Sequence, residues 1–261
     1  MALTQPIADV SSLPLEKAER ELRVQLAAAY RLVDYFGWTE LIYGHLTVRV
    51  PGPEHHFLIN PYGLNYDEIT ASNLVKIDLD GKTVGRSEHP VSHAGFVIHS
   101  AIHMADSEDN ACVMHTHTRA GMAIAAIQEG LLPVSMASTT FFNRIAYHDY
   151  EGPSLYTDER ERLLNSLGDK KAMILRNHGL LTVGKTIPEA FLRLYRLERS
   201  CQVQVDAAAA GTLNLMPDAV ATKSGNDVDA FSARETNQGV GSIEFAALMR
   251  KLDKIDSSYR T

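Results

Sequence analysis

Residues Cys112-Val113-Met114-His115-Thr116-His117-Thr118 constrain the fold of this chain more than any other stretch. An apolar run leading straight into His-x-His reads as a buried strand whose end reaches a site. Side chains alternate along a strand, so His115 and His117 point to the same face. Further along, the apolar run Ala172-Met173-Ile174-Leu175 leads into a tight turn, Arg176-Asn177-His178-Gly179. Two imidazoles on one face can share a metal ion, and a third nitrogen from His178 would complete a facial triad with positions left for water or substrate. A lone His-x-His also reads as a polar strand end with satisfied hydrogen bonds. The third histidine, in its tight turn, favours the metal.

The rest of the chain predicts a helix- and strand-rich domain around that strand. With 261 residues and 45% hydrophobic content, one domain with appendages can bury a substantial core. A net charge of -7 argues against a nucleic-acid surface. No apolar run reaches the length of a membrane span, and the sequence does not open on a basic stretch followed by an apolar one. The expectation is a cytoplasmic protein with neither membrane nor nucleic acid as partner. Cys112 and Cys201 sit in apolar or helical surroundings and read as reduced packing residues.

Residues 1–14 carry Pro6 and Pro14 without periodicity and read as a flexible arm. Leu15 to Phe36 has apolar positions at helical spacing behind a charged start, a long amphipathic helix. Residues 44–50 and 56–60 read as a strand pair around Gly52-Pro53, and Asp80-Gly81 as the turn of a second hairpin between 74–78 and 82–84. Helices are predicted over 92–104 and 120–127, from Thr157 as N-cap to Gly168, and from Pro188 to about Ala210. Strands are predicted at 111–115, 145–147, 172–175 and 180–184. The polar stretch 212–239 reads as a mobile connection, and 240–261 as a terminal segment with a short amphipathic helix. The fold class is α/β: residues 15–211 form one domain, a central, mostly antiparallel mixed sheet flanked by helices.

The motifs His115-Thr116-His117, Leu175-Arg176-Asn177-His178-Gly179-Leu180 and Ile59-Asn60-Pro61-Tyr62-Gly63-Leu64 resemble the class II aldolase/adducin head family over roughly residues 20 to 211. The resemblance implies a divalent metal on His115, His117 and His178, usually zinc, with Fe(II) or Mn as alternatives. It also implies a homo-oligomer, a homotetramer with sites at subunit boundaries, and a small-molecule substrate. The family includes sugar-phosphate aldolases, an epimerase, a dehydratase, decarboxylases, iron-dependent oxygenases and the cytoskeletal adducins. Residues 94–103, 147–150 and 243–250 are most similar to the adducin branch.

Two departures narrow the expectation. Where the sugar-phosphate aldolases carry Ser-Ser-Glu, with the glutamate as general acid/base, this chain has His93-Ala94-Gly95. Ser87-Glu88 offers a substitute only through an insertion before His115. The family's Gly-Asn-x-Ser phosphate loop is here Gly44-His45-Leu46-Thr47. Both changes argue against a phosphorylated sugar. The expected function is a metal-dependent lyase, of aldolase or decarboxylase type, acting on a small oxygenated carbonyl or carboxylate through a metal-stabilised enolate. The alternatives are an adducin-like interaction module without turnover and an Fe(II)-dependent oxygenase on the same triad. Proton-transfer candidates are His93, His99, Glu88 and Tyr62. Gly44, His45, Tyr62 and Gly63 are the candidate substrate-binding residues, Gly63 because glycine permits positive φ and close backbone approach.

Overall fold

The computed structural model describes residues 7, 10–105, 108–153, 156–235 and 239–261. Along them run α1 (Leu15–Tyr35), β1 (His45–Arg49), β2 (Phe57–Ile59), β3 (Val75–Ile77), α2 (His93–Met104), β4 (Cys112–Thr116), α3 (Arg119–Ala125), α4 (Met136–Thr139), β5 (Ala146–His148), α5 (Glu159–Leu167), β6 (Ala172–Leu175), β7 (Gly179–Gly184), α6 (Ile187–Ala210), α7 (Asp218–Glu235) and α8 (Ser242–Ile255). The strands form a seven-stranded sheet in the order β3-β2-β1-β4-β7-β6-β5. Every neighbouring pair is antiparallel except β5 with β6. The expected α/β architecture with a mostly antiparallel mixed sheet is the one that forms.

Alternation along the central strands divides the sheet into two buried faces. Leu46, Val48, Cys112, Met114, Ile174 and Leu180 belong to the core beneath α1, α6 and α8. Val113, Met173, Leu175, Leu181 and Val183 pack on the opposite side against Ile98, Ala101 and Ile102 of α2 and Leu163 and Leu167 of α5. On β4 the residues of Val113's parity are His115 and, just past the strand, His117. On β1 they pair with His45 and Thr47, because His45 lies opposite His115 and Thr47 opposite Val113. The histidines therefore gather on the α2 side of the sheet. Helix α1 is tied to β1 where the Tyr30 hydroxyl accepts the Leu46 N–H at 2.7 Å. Helix α6 has Pro188 in its first turn, as its sequence predicts, and the Thr186 hydroxyl caps it by accepting the Glu189 N–H.

Three local readings change. The connection expected at 212–239 contains helix α7. Its sequence gives no apolar stripe, and Ser224-Gly225-Asn226-Asp227 reads as a breaker. Tertiary contact supplies what propensity lacks: a side chain at 225 would come within 2.6 Å of the Thr139 carbonyl, so the glycine lets α7 lie directly on α4. The Ser224 and Thr139 hydroxyls bond at 2.9 Å beside it. The return arm of the second hairpin shrinks to the isolated Ile77–Thr83 bridge and the Val84 N–H to Lys76 carbonyl bond. Helix α5 takes Asp158 rather than Thr157 as its N-cap. Of the N-terminal arm, Val10–Ser12 forms a short 3₁₀ turn, while residues 1–6 and 8–9 lie outside the described residues, as do 236–238 of the connection. Both cysteines are buried free thiols. No helix among the described residues is long and apolar enough to cross a membrane.

Candidate metal centre

The β4 run ends where its sequence suggested. His115 is fully buried, and His117 follows the last strand residue at the rim. The third histidine arrives on the β6–β7 connection. Leu175 pairs with Gly179, and the His178 N–H bonds back to the Leu175 carbonyl. Asn177 takes a left-handed φ of 55° and donates its N–H to the Ala125 carbonyl at the end of α3. Arg176 clamps the other side, its guanidinium lying over the Tyr147 ring and donating to the Ile127 carbonyl. Gly179 is obligatory here. A Cβ there would stand 2.5 Å from the Thr116 carbonyl oxygen and 3.2–3.3 Å from atoms of the His117 and His115 rings.

The three rings converge with centroids 4.6–4.8 Å apart, and one ligand nitrogen of each lies within 4.8 Å of the others. Hydrogen bonding fixes two of the tautomers. His115 Nδ1–H donates to the Leu180 carbonyl at 2.9 Å, and His117 Nδ1–H donates to the Glu40 carboxylate at 2.8 Å. Both Nε2 atoms then carry lone pairs, and they face each other at 2.8 Å. Two lone pairs at that separation repel unless a proton or a cation lies between them. Burial, and then repulsion from His117 and His178, holds His115 well below the usual imidazole range, which disfavours a proton on that ring. Burial, and then repulsion from His117 and His148, pushes His178 down to about 4. The donor set is three imidazoles, two with outward N–H groups already satisfied, and this fits a divalent transition-metal ion.

Behind the triad lies a second layer of histidines. The His45 ring stacks 6.3 Å from that of His115 and meets the His99 ring edge-on at 5.8 Å. Burial first, then the His117 and His178 rings, pushes His45 down to about 3, and its buried Nδ1 has no hydrogen-bond partner among the described residues. The Thr47 hydroxyl joins His99 Nδ1 and His103 Nε2 at 2.7 and 2.8 Å.

The candidate residues scatter. His99 is sealed at 0% exposure, behind His45 rather than at the open side of the triad. His93 is exposed on the first turn of α2, its ring beside that of Phe96. Glu88 lies on an exposed loop and lines a polar cleft with Ser72, Asn73 and Arg86. Tyr62 is half-buried and donates its N–H to the Pro90 carbonyl. Gly63 takes a φ of 105° with open space around it, so conformation and not close packing requires the glycine. Gly44, at a φ of 87°, abuts the Tyr66 hydroxyl and the His115 carbonyl. A Cβ at Gly95 would stand 2.4 Å from His45 Cδ2, so the His45 ring fills the space a larger residue would need.

Two residues at the triad had no signal in the sequence. Glu40 is an ordinary acid in an irregular stretch, and a left-handed turn brings it to His117. Tyr150, 53% exposed, places its ring 6.2 Å from that of His178.

Comparison with known proteins agrees with the fold. An aldolase II superfamily protein from Pseudomonas syringae is similar over 96% of this chain and 98% of its own, with a TM-score of 0.87 and 47% identity. L-fuculose 1-phosphate aldolase from Glaciozyma antarctica superposes with a TM-score of 0.83 at 31% identity, covering 100% of this chain and 98% of its own. Alpha-adducin of Rattus norvegicus is 43% identical over all of this chain, which spans 37% of that longer protein. Residues 24–205 match the family described as Class II Aldolase and Adducin N-terminal domain. Since that match takes in the sheet from β1 to β7 and all three converging histidines, the chain is a member of the class II aldolase/adducin family.

Proposed function

We propose that this protein is a metal-dependent lyase, of aldolase or decarboxylase type, acting on a small oxygenated carbonyl or carboxylate. The observation that carries the reading is the pair of Nε2 lone pairs 2.8 Å apart, each fixed by an outward Nδ1–H bond, with His178 closing the group. His115, His117 and His178 would hold the ion, zinc in the first instance. Bound there, a divalent ion supplies a Lewis acid for a carbonyl or hydroxy-acid oxygen as a C–C bond breaks. Similarity to an L-fuculose 1-phosphate aldolase supports the reaction class.

The residues around the triad argue for an unphosphorylated substrate. His45 is held neutral by burial, so it offers a hydrogen bond to an uncharged oxygen and no countercharge to a phosphate. Its ring also occupies the space over Gly95, which leaves no room there for an acidic side chain. Proton transfer falls to groups at the open rim, where Tyr150 stands beside His178. We place the protein in the cytoplasm as a homotetramer.

A second reading, an adducin-like interaction module that keeps the metal site without turnover, is favoured by the 43% identity to alpha-adducin and by glycine at position 95. The test is metal analysis of protein purified without chelators, followed by aldol-cleavage and decarboxylation assays with and without oxygen. Stoichiometric zinc with cleavage of hydroxycarbonyl or carboxylate compounds is the expected result. Metal without turnover would favour the interaction module. Iron with oxygen-dependent turnover would replace the lyase by an oxygenase.

A further inference from the structure

We infer that Glu40 is a positioning residue, whose carboxylate fixes His117 in the Nδ1–H tautomer and so sets the affinity of the triad for a divalent ion. The inference rests on the metal-centre reading above. His115 has its Nδ1–H on a neutral carbonyl, Leu180, inside the sheet. The His117 Nδ1–H goes instead to a carboxylate, Glu40 Oε2, at 2.8 Å. A carboxylate on the far nitrogen raises the basicity of an imidazole ligand and holds its ring plane, more than a carbonyl does. The rim ligand is thus the one given the charged partner.

The chain between α1 and β1 is built to make this contact. The Tyr43 N–H bonds to the Glu40 carbonyl at 2.9 Å, closing a turn that carries the isolated Glu40–Tyr43 bridge. Leu41 inside that turn sits at a φ of 51°, a left-handed conformation that leucine seldom takes, and its side chain is 73% exposed. Nothing in the core therefore explains the strained backbone. The Tyr66 hydroxyl donates to the Tyr43 carbonyl and pins the far end of the turn. The strain is held where it aims one carboxylate at one ligand.

The test compares apo-protein of wild type, Glu40→Ala, Glu40→Gln and His117→Ala, titrated with Zn²⁺ and with Co²⁺ against a chromophoric chelator. Glu40→Ala is expected to weaken binding by about 10- to 100-fold. Glu40→Gln keeps an oxygen acceptor without the charge and is expected to lose less. The Co²⁺ absorption band should shift in both, while the melting temperature of the metal-free protein stays near wild type. His117→Ala should bind neither metal. If Glu40→Gln and Glu40→Ala bind like wild type while His117→Ala does not, the role of Glu40 is overturned and the metal centre stands. Should Glu40→Ala fail to fold, unchanged affinity and spectrum in Glu40→Gln overturn it equally. A wild-type protein that binds neither ion sinks the metal reading itself.

Discussion

Replacing Gly95 with alanine tests whether the second-layer histidine is locked in place. The new methyl carbon would lie 2.4, 2.6 and 2.7 Å from Cδ2, Cγ and Nε2 of His45, where ordinary contact begins near 3.4 Å. The ring has to move by about 1 Å, yet His115 stacks on it and His99 meets it edge-on. Overpacking of this kind costs about 1–3 kcal/mol. With the ring removed, the same substitution should instead stabilise by about 0.5–1 kcal/mol, because Gly95 is a helical residue of α2 and alanine is the better helix former. A double-mutant cycle of Gly95→Ala with His45→Ala should then show a coupling of about 1.5–4 kcal/mol. Urea unfolding of the metal-free proteins measures it, provided the slope with denaturant is unchanged between variants. Free energies that simply add, within about 0.5 kcal/mol, would refute the argument that the His45 ring keeps position 95 a glycine.

Other outcomes follow from the same geometry. His117→Ala should abolish metal binding while leaving the circular dichroism of the fold intact, because His117 lies past the end of β4 at the rim; retained metal would show the triad is misassigned. Glu88→Gln should change activity little, since its loop faces a separate cleft; a collapse in rate would assign it the acid role after all. Stability of the metal-free protein should fall on acidification. His103, chiefly through burial, is pushed from 6.5 down to about 3, so the unfolded chain takes up its proton first. Its contribution is fully present above pH 6.5 and is lost toward pH 3, at up to about 1.4 kcal/mol per pH unit. Thermal melts from pH 7 to pH 4 that show no decline would contradict the buried neutral histidines.

Patterns that repeat along the chain were legible from residues alone. Cys112–Met114 could be read as a buried strand because alternation has a period that sequence displays directly, and the same rule put His115 and His117 on one face. The long helix α1 was legible through its apolar spacing, and the start of α6 through Pro188. Helix α7 was not, because its stability comes from the close approach at Gly225 to α4, a contact that leaves no periodic trace.

The candidate site divides along the same line. The sequence by itself picked out the three histidines that converge, since His-x-His at a strand end and Asn-His-Gly in a turn are local patterns with a direct chemical reading. Only the tertiary structure decided what surrounds them. It withdrew His99 into the core, sent Glu88 to another surface, laid His45 over Gly95, and brought Glu40 and Tyr150 to the rim. Each of those placements depends on how separate strands and turns pack in space. A single acid in an irregular turn, or a tyrosine past a short strand, has no partner near it in sequence to announce what it will touch.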